Sequence, residues 1–293
     1  NSLTKESYYE GLTSYPAARC VRILNPLSAD LNVMRQTLLF NTMEAVQLNA
    51  NRRNGNLRLY EFGNCYFYDE AARDAEKPLS AYSEQYRLAI AVTGVSTPHS
   101  WNTKPGKASF FTLRAVAEKL LRRFGIDIYA LETETLESDL FSEGLTMALN
   151  GRELLRIGSV APAIRRRTDL KQEVYFLEMN FDVLVRSTRK HRIVAAELSK
   201  FPEVKRDLAL LIDKRVTFSE LRDAAFAAER KLLRSVSLFD VYEGDKLPEG
   251  KKSYALSFVL EDKTRTLDEK TIERVMGNLV RQFEQRCGAQ VRA

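Results

Sequence analysis

Along the last hundred residues apolar and polar positions change period in a regular order, and each change carries its own boundary signal. Val204–Asp213 reads as a strand. Thr217–Lys231 reads as a helix opened by a capping box, with Glu220 three residues after Thr217 to satisfy backbone donors that would otherwise lack partners. Ser235–Tyr242 and Lys252–Glu261 read as a strand pair around the Gly- and Pro-containing turn 244–250. A longer helix starts near Thr266, again with Glu269 three residues on. It aligns Ile272, Val275, Met276, Leu279, Val280 and Phe283 on one face and stops at Gly288. Gln290–Arg292 closes the segment as a short strand. The order βαββαβ predicts a ferredoxin-like domain, with two helices covering one face of a four-stranded sheet and the other face open. In the third strand Tyr254, Leu256, Phe258 and Leu260 alternate with Ser253, Ala255, Ser257 and Val259, so one face is bulky and the other small enough to accept a ligand. The alternation within Ser235–Tyr242 is too irregular to assign a face to Tyr242.

The preceding residues predict an α+β domain with a mostly antiparallel sheet. Met34, Leu38, Leu39, Met43 and Val46 recur at helical spacing within 30–52, and Leu113, Val116, Leu120 and Leu121 within 110–124, which ends at Gly125. Strands are expected at 57–68, 86–93, 127–132, 146–149, 153–160 and 174–185, with Asn150-Gly151 as a two-residue hairpin turn. The domain boundary is placed between residues 196 and 197.

Composition narrows the chemistry. The 293 residues, 44% apolar, suffice for one or two packed cores of a soluble, globular protein. No stretch approaches the ~18 apolar residues of a membrane helix and no leader opens the chain, so a cytoplasmic protein is expected. Asn1 stands where an initiator Met would, and the opening residues read like the middle of a domain, which predicts a fragment of a longer protein. Net charge is +6, with 26 basic against 22 acidic residues before Glu197 and 19 against 17 from there on. Bulk charge therefore permits an RNA partner without arguing for one. Cys20, Cys65 and Cys287 lack ligand spacing, so buried thiols and no metal site are expected. His99 and His191 have no neighbouring nucleophile or carboxylate and read as surface or loop residues. There is no GxxxxGK[ST] loop, and Gly125, Gly144, Gly151 and Gly158 are assigned to turns. Arg165-Arg166-Arg167 is expected in a solvated loop.

Six segments carry a resemblance that spans nearly the whole chain. KFPEVKRDLAL (200–210), LFDVYEG (238–244), LPEGKKSYA (247–255) and RTLDE (265–269) resemble the ferredoxin-fold anticodon-binding domain that ends bacterial phenylalanyl-tRNA synthetase β subunits. NPLSADLNVMRQTLL (25–39) and LRLYEFGNCYF (57–67) resemble the synthetase-like core of the same family. The resemblance implies a class II synthetase-like antiparallel core followed by the ferredoxin-like domain, with further modules preceding Asn1. It implies a subunit of the ligase that joins phenylalanine to its tRNA with ATP and magnesium, assembled with an α subunit as (αβ)2. Chemistry would reside on the α subunit, and no cofactor would be bound by this fragment.

The core's own residues agree with a non-catalytic role. An active class II site needs an Arg two residues before a motif-2 Glu, and here that position is Leu59, with Arg58 beside it; Gly158–Arg165 lacks the glycine pattern of a third motif. By resemblance, the anticodon-binding positions are Asp240, Tyr242, Ser253 and Arg292. Tyr242 would stack on a base, Asp240 would accept from a guanine edge, Ser253 would bond an edge or phosphate, and Arg292 would neutralise phosphate. Each also has a plain structural reading, as a strand end, a rim residue, a strand start and a solvated tail. Lys251 and Lys252 are candidate phosphate contacts. Apolar surface on the helix near Met34–Val46 and on the strand 57–67 is expected to meet the α subunit. Two rivals stay open: a core that itself activates an amino acid, and a free-standing ferredoxin-like regulator that senses a small molecule.

Overall fold

The computed structural model describes residues 1–26, 28–192, 194, 195 and 197–292. It separates into two compact units, Asn1–Ile193 and Val194–Ala293. The sequence-based boundary touches Ala196, which lies outside the described residues.

The first unit begins with three short antiparallel strands, β1 (Leu3–Thr4), β2 (Val21–Arg22) and β3 (Val33–Met34), with β3 central. Helix α1 (Leu39–Asn51) leads into β4 (Leu57–Tyr68) and β5 (Tyr82–Thr93). A small ribbon of β6 (Val95–Thr97) and β7 (Gly106–Lys107) precedes α2 (Phe110–Arg123), whose N-terminus is closed by a Ser109–Thr112 capping box. Then come β8 (Glu132–Thr135), β9 (Phe141–Leu149), β10 (Arg152–Val160), α3 (Pro162–Arg167), β11 (Val174–Asn180) and α4 (Phe181–Thr188). The main sheet is antiparallel in the order β4-β5-β11-β10-β9-β8. Its faces follow the period of two: Ala89, Ala91, Val174 and Phe176 join Leu39, Phe40, Met43 and Val46 of α1 in one core. Leu88, Val92, Leu177 and Met179 join Leu113, Ala117 and Leu121 of α2 in the other.

Several elements depart from the sequence expectation, each for a local reason. The helix near Met34 starts only at Leu39, because Met34 is paired with both Leu3 and Val21 and the Arg35 N–H donates to the Ser2 carbonyl. Residues 127–132 are not one strand. Asp127 accepts from the Tyr129 N–H and caps a 3-10 turn, Ile128–Ala130, before β8. The strand from Val174 ends at Asn180, whose side chain accepts from the Val183 N–H and starts α4. Arg165, Arg166 and Arg167 end helix α3 rather than filling a loop; Arg165 donates to the carbonyls of Lys171 and Gln172, and Arg167 to that of Tyr8. Gly125 (φ +74°) and Gly151 (φ +70°) do occupy turns. Gly144 and Gly158 instead face each other across β9 and β10, where a Cβ on Gly158 would come 2.4 Å from the Glu143 carbonyl oxygen. Cys20 and Cys65 are buried and Cys287 is half-buried.

The second unit has β12 (Val204–Asp213), α5 (Phe218–Ala228), β13 (Leu233–Tyr242), β14 (Lys251–Leu260), α6 (Glu269–Cys287) and β15 (Gln290–Val291). The sheet order β13-β14-β12-β15, antiparallel throughout, is that of a ferredoxin-like fold. The Thr217–Glu220 capping box opens α5, and α5 stops at Ala228 because the Glu229 carboxylate accepts from the N–H groups of Lys231 and Leu232. The cap of α6 is Asp268, not Thr266, because Asp268 accepts from the Thr271 N–H and Glu269 turns to the Arg206 guanidinium. Gly288, at φ +59°, ends that helix in the left-handed conformation. Leu210, Ile212, Leu256, Phe258 and Leu260 pack under Leu221, Ala225, Val275, Leu279 and Phe283. The whole chain is thus α+β with antiparallel sheets, and no helix among the described residues is long and apolar enough to cross a membrane.

Candidate nucleic-acid interface

Cross-strand register decides which residues share the open face of the second sheet. On β14, Leu256, Phe258 and Leu260 fill the core, so Lys251, Ser253, Ala255, Ser257 and Val259 stand on the opposite face. Their partners on β12 are Asp213, Leu211, Ala209, Asp207 and Lys205. The irregular alternation of β13 is explained by two register shifts, between Leu233 and Ser235 and between Leu238 and Asp240. Leu238 is opposite Leu256 and packs on the core, whereas Asp240 is opposite Ala255 and Tyr242 opposite Ser253. Tyr242 therefore lies on the open face. The Arg292 N–H donates to the Ala209 carbonyl, and its guanidinium stands 5.5 Å over the Tyr242 ring. Asp240, Tyr242, Ser253 and Arg292 thus share one surface, contributed by the adjacent strands β13 and β14 and the residue after β15.

That surface is an aromatic rim beside a shallow floor. Ser253 and Ser257 are buried between neighbouring strands, and the Ser257 hydroxyl has no hydrogen-bond partner within the described protein. Tyr242 and Phe239 stand exposed above the floor. Gly244 lets the Tyr242 ring fold over the turn that follows β13, since a Cβ there would meet the phenol oxygen at 2.7 Å. Charge on the face is mixed, with Lys205, Lys251 and Arg292 against Asp207, Asp213 and Asp240. Lys251 pairs with Asp213 at 2.9 Å and holds that exposed carboxyl below its ordinary range. Recognition here would rest on placed contacts rather than on a basic patch. The two candidate lysines part company: Lys252 is opposite the buried Ile212 on the helix-covered face, only 7% exposed, with its ammonium 4.5 Å from the Tyr254 ring. Phe239, Lys205 and Gly244 were not singled out from sequence; the bulge that re-aims Phe239 has no signature beyond the broken alternation itself.

In the first unit, polar residues gather on the α1 side of the sheet. Arg87 and Glu178 form a buried ion pair, and the same carboxylate accepts from the Tyr15 hydroxyl at 3.0 Å, the Thr37 hydroxyl at 2.8 Å and the Leu38 N–H at 2.7 Å. Burial alone would raise the Glu178 carboxyl; Arg87 and these donors hold it below its ordinary range instead. Two adjoining cavities of about 280 and 180 Å³ open here, sharing Gln85, Arg87 and Arg156 in their walls. Their charges are largely neutralised internally, Arg87 by Glu178 and Arg156 by Glu153 at 2.8 Å. Arg58 cannot reach them. The period of β4 turns it to the α2 side, where it donates to the Ser96 carbonyl, and Glu61 is taken by the buried Arg35 at 2.5 Å. His99 and His191 lie exposed outside helices and strands, and no three His, Cys, Asp or Glu side chains gather as metal ligands among the described residues.

The apolar surface expected on α1 is consumed inside, as Leu39, Phe40, Met43 and Val46 are buried. What stays open is the α2 side of edge strand β4. There Tyr60 and Phe62 border an apolar groove of about 280 Å³ with Leu88, Ile90, Val116 and Leu120.

Comparison with known proteins agrees with both units. A family model described as the phenylalanyl tRNA synthetase beta chain CLM domain matches residues 1–181, and one described as a ferredoxin-fold anticodon binding domain matches residues 199–292. The phenylalanine–tRNA ligase beta subunit of a Bacteroides fragilis strain is 45% identical over 293 residues, all of this chain and 36% of that relative. That of a Porphyromonas gingivalis strain is 44% identical over the same shares. Among solved structures, a pyrrolysyl tRNA synthetase of Desulfitobacterium hafniense matches at 16% identity over 68% of this chain and 66% of that one, with a TM-score of 0.47. The chain spans about a third of the length of these curated relatives, 36% in both cases. With a beta-chain family model on its first unit and an anticodon-binding model on its second, the chain belongs to the phenylalanyl-tRNA synthetase beta chain family.

Proposed function

We propose that this chain is the tRNA-recognising and scaffolding part of a phenylalanine–tRNA ligase β subunit. Its ferredoxin-like sheet holds the anticodon loop of phenylalanine tRNA, and its first unit supports an α subunit without catalysing. Tyr242 stacks on an unpaired base, Asp240 accepts from a base edge, Ser253 bonds an edge or phosphate, and Arg292 carries phosphate charge while bracing the Tyr242 ring. The observation that carries the reading is the register that brings these four side chains to the one sheet face the helices leave open. Lys251 supplies a further cation on that face; Lys252 does not.

The non-catalytic role of the first unit is supported by Arg58 lying on the wrong face of β4 and by the pairing of Arg87 and Arg156, which both polar cavities share, with Glu178 and Glu153. A polyphosphate needs free bidentate donors, and ATP with magnesium is used by the α subunit. The exposed aromatic groove on β4 is the surface offered to that subunit in an (αβ)2 assembly working in the cytoplasm.

The test is aminoacylation beside pyrophosphate exchange, in full-length β reconstituted with α and carrying Ala singly at Asp240, Tyr242, Ser253 and Arg292. Charging efficiency for tRNA falls, by roughly 5- to 150-fold for Tyr242→Ala on the ordinary worth of one stacked base, while exchange is unchanged. Unchanged charging in all four variants refutes the site.

A further inference from the structure

The register shift on β13 leaves one residue without a partner in the ladder. Leu238 is opposite Leu256 and Asp240 opposite Ala255, so Phe239 is the extra residue of a β-bulge. Its ring is 58% exposed, and the ammonium of Lys205, which comes from β12 on the far side of β14, lies 6.0 Å from the ring centroid. A contact across the central strand is possible only if Phe239 leans over the open face. Beneath it run the half-buried Ala255 and the buried Ser257, and the Ser257 hydroxyl lacks a partner.

Resting on the anticodon-loop reading of this face, we propose that Phe239 is a second stacking platform. It takes the unpaired base next to the one on Tyr242, with Lys205, opposite Val259 on the side of Phe239 away from Tyr242, against a flanking phosphate. Ala255 and Ser253, the partners of Asp240 and Tyr242, are two residues apart on one strand, about 7 Å. Phe239 precedes Asp240, so its backbone is at least that far from Tyr242, more than the ~3.4 Å rise per nucleotide of a stacked strand, and the two side chains fit bases pulled apart from each other, as in an unpaired loop. A bulge on an edge strand also discourages strand pairing with other chains, but that role needs no aromatic ring and no cation over it.

The experiment uses full-length β with α and measures KM for phenylalanine tRNA and pyrophosphate exchange with Phe239→Leu, Phe239→Tyr and Tyr242→Ala. Each is repeated on tRNAs made abasic at single loop positions. Phe239→Leu is expected to raise KM for tRNA on the order of ten-fold and leave exchange unchanged, and Phe239→Tyr to restore it. The Phe239→Leu effect should vanish on an abasic position different from the one that abolishes the Tyr242→Ala effect. If Phe239→Leu is silent while Tyr242→Ala raises KM, the second platform is refuted and the anticodon-loop reading stands. If both effects vanish at the same position, only one base is held and the second platform is again refuted. If both variants are silent, the reading on which it rests fails with it.

Discussion

Replacing Glu178 by Leu removes one half of the buried ion pair and leaves Arg87, whose side chain is only 14% exposed, without its counter-charge. Breaking a buried pair from one side costs about 3–5 kcal/mol, because the remaining charge stays largely buried without its counter-charge. Three further donors, the hydroxyls of Tyr15 and Thr37 and the Leu38 N–H, lose their acceptor at the same time. That favours a value near the middle of the range or above. For a unit of this size about 4 kcal/mol lowers Tm by roughly 8–16 °C. Scanning calorimetry and near-ultraviolet circular dichroism are the assays of choice, since the single Trp101 is 95% exposed and its fluorescence reports little of the core. The pH dependence has a definite sign. The Glu178 carboxyl is held low in the fold, so its contribution is present above the unfolded value of ~4.3 and is lost as pH falls through the folded one. The difference between wild type and Glu178→Leu therefore narrows below about pH 4. Adding Arg87→Met to Glu178→Leu should recover at least half of the loss, because the orphaned charge goes too. A Tm change under about 2 °C for Glu178→Leu, or a double variant no more stable than the single, refutes the reasoning.

Three other outcomes follow from the geometry. Gly158→Ala should destabilise the first unit by about 2 kcal/mol or more, read by urea melts, because its Cβ meets the Glu143 carbonyl at 2.4 Å and the Gly144 Cα at 3.0 Å, backbone that cannot swing aside. Thr217→Ala should cost the second unit about 1 kcal/mol, seen as a lower urea midpoint, since it removes the hydroxyl that accepts from the Glu220 N–H. Gly244→Ala should displace the Tyr242 ring while leaving stability nearly unchanged, observable as altered Tyr242 ring shifts in NMR and weaker tRNA binding.

Elements announced by local chemistry were legible from the sequence. The Thr217–Glu220 box, the Asn150-Gly151 turn and the stop at Gly288 depend on a few adjacent residues, and each stands where those residues put it. Elements settled by distant partners were not. Met34 carries helical spacing but is claimed by Leu3 and Val21, and nothing within 30–38 announces that competition. Gly144 and Gly158 read as turn residues because a close approach between strands leaves no mark on either strand alone. The face of Tyr242 was unreadable for a related reason. Helix-side residues Val236, Leu238 and Val241 change spacing from two to three across the bulge, so no single period fits. Lys251 and Lys252 look equivalent as neighbours in sequence, yet a strand's alternation sends one to the open face and the other among the helices.

Because Phe239 occupies the unpaired position of the bulge, it is an insertion that the ladder does not count. A chain one residue shorter at this point would keep Leu238 opposite Leu256, Asp240 opposite Ala255 and Tyr242 opposite Ser253, with every later side chain on its present face. Length here is a variable that descent can change in a single step without disturbing the core. A lineage could gain or shed this ring as a unit, and the fold would not register the difference; only whatever lies on the open face would.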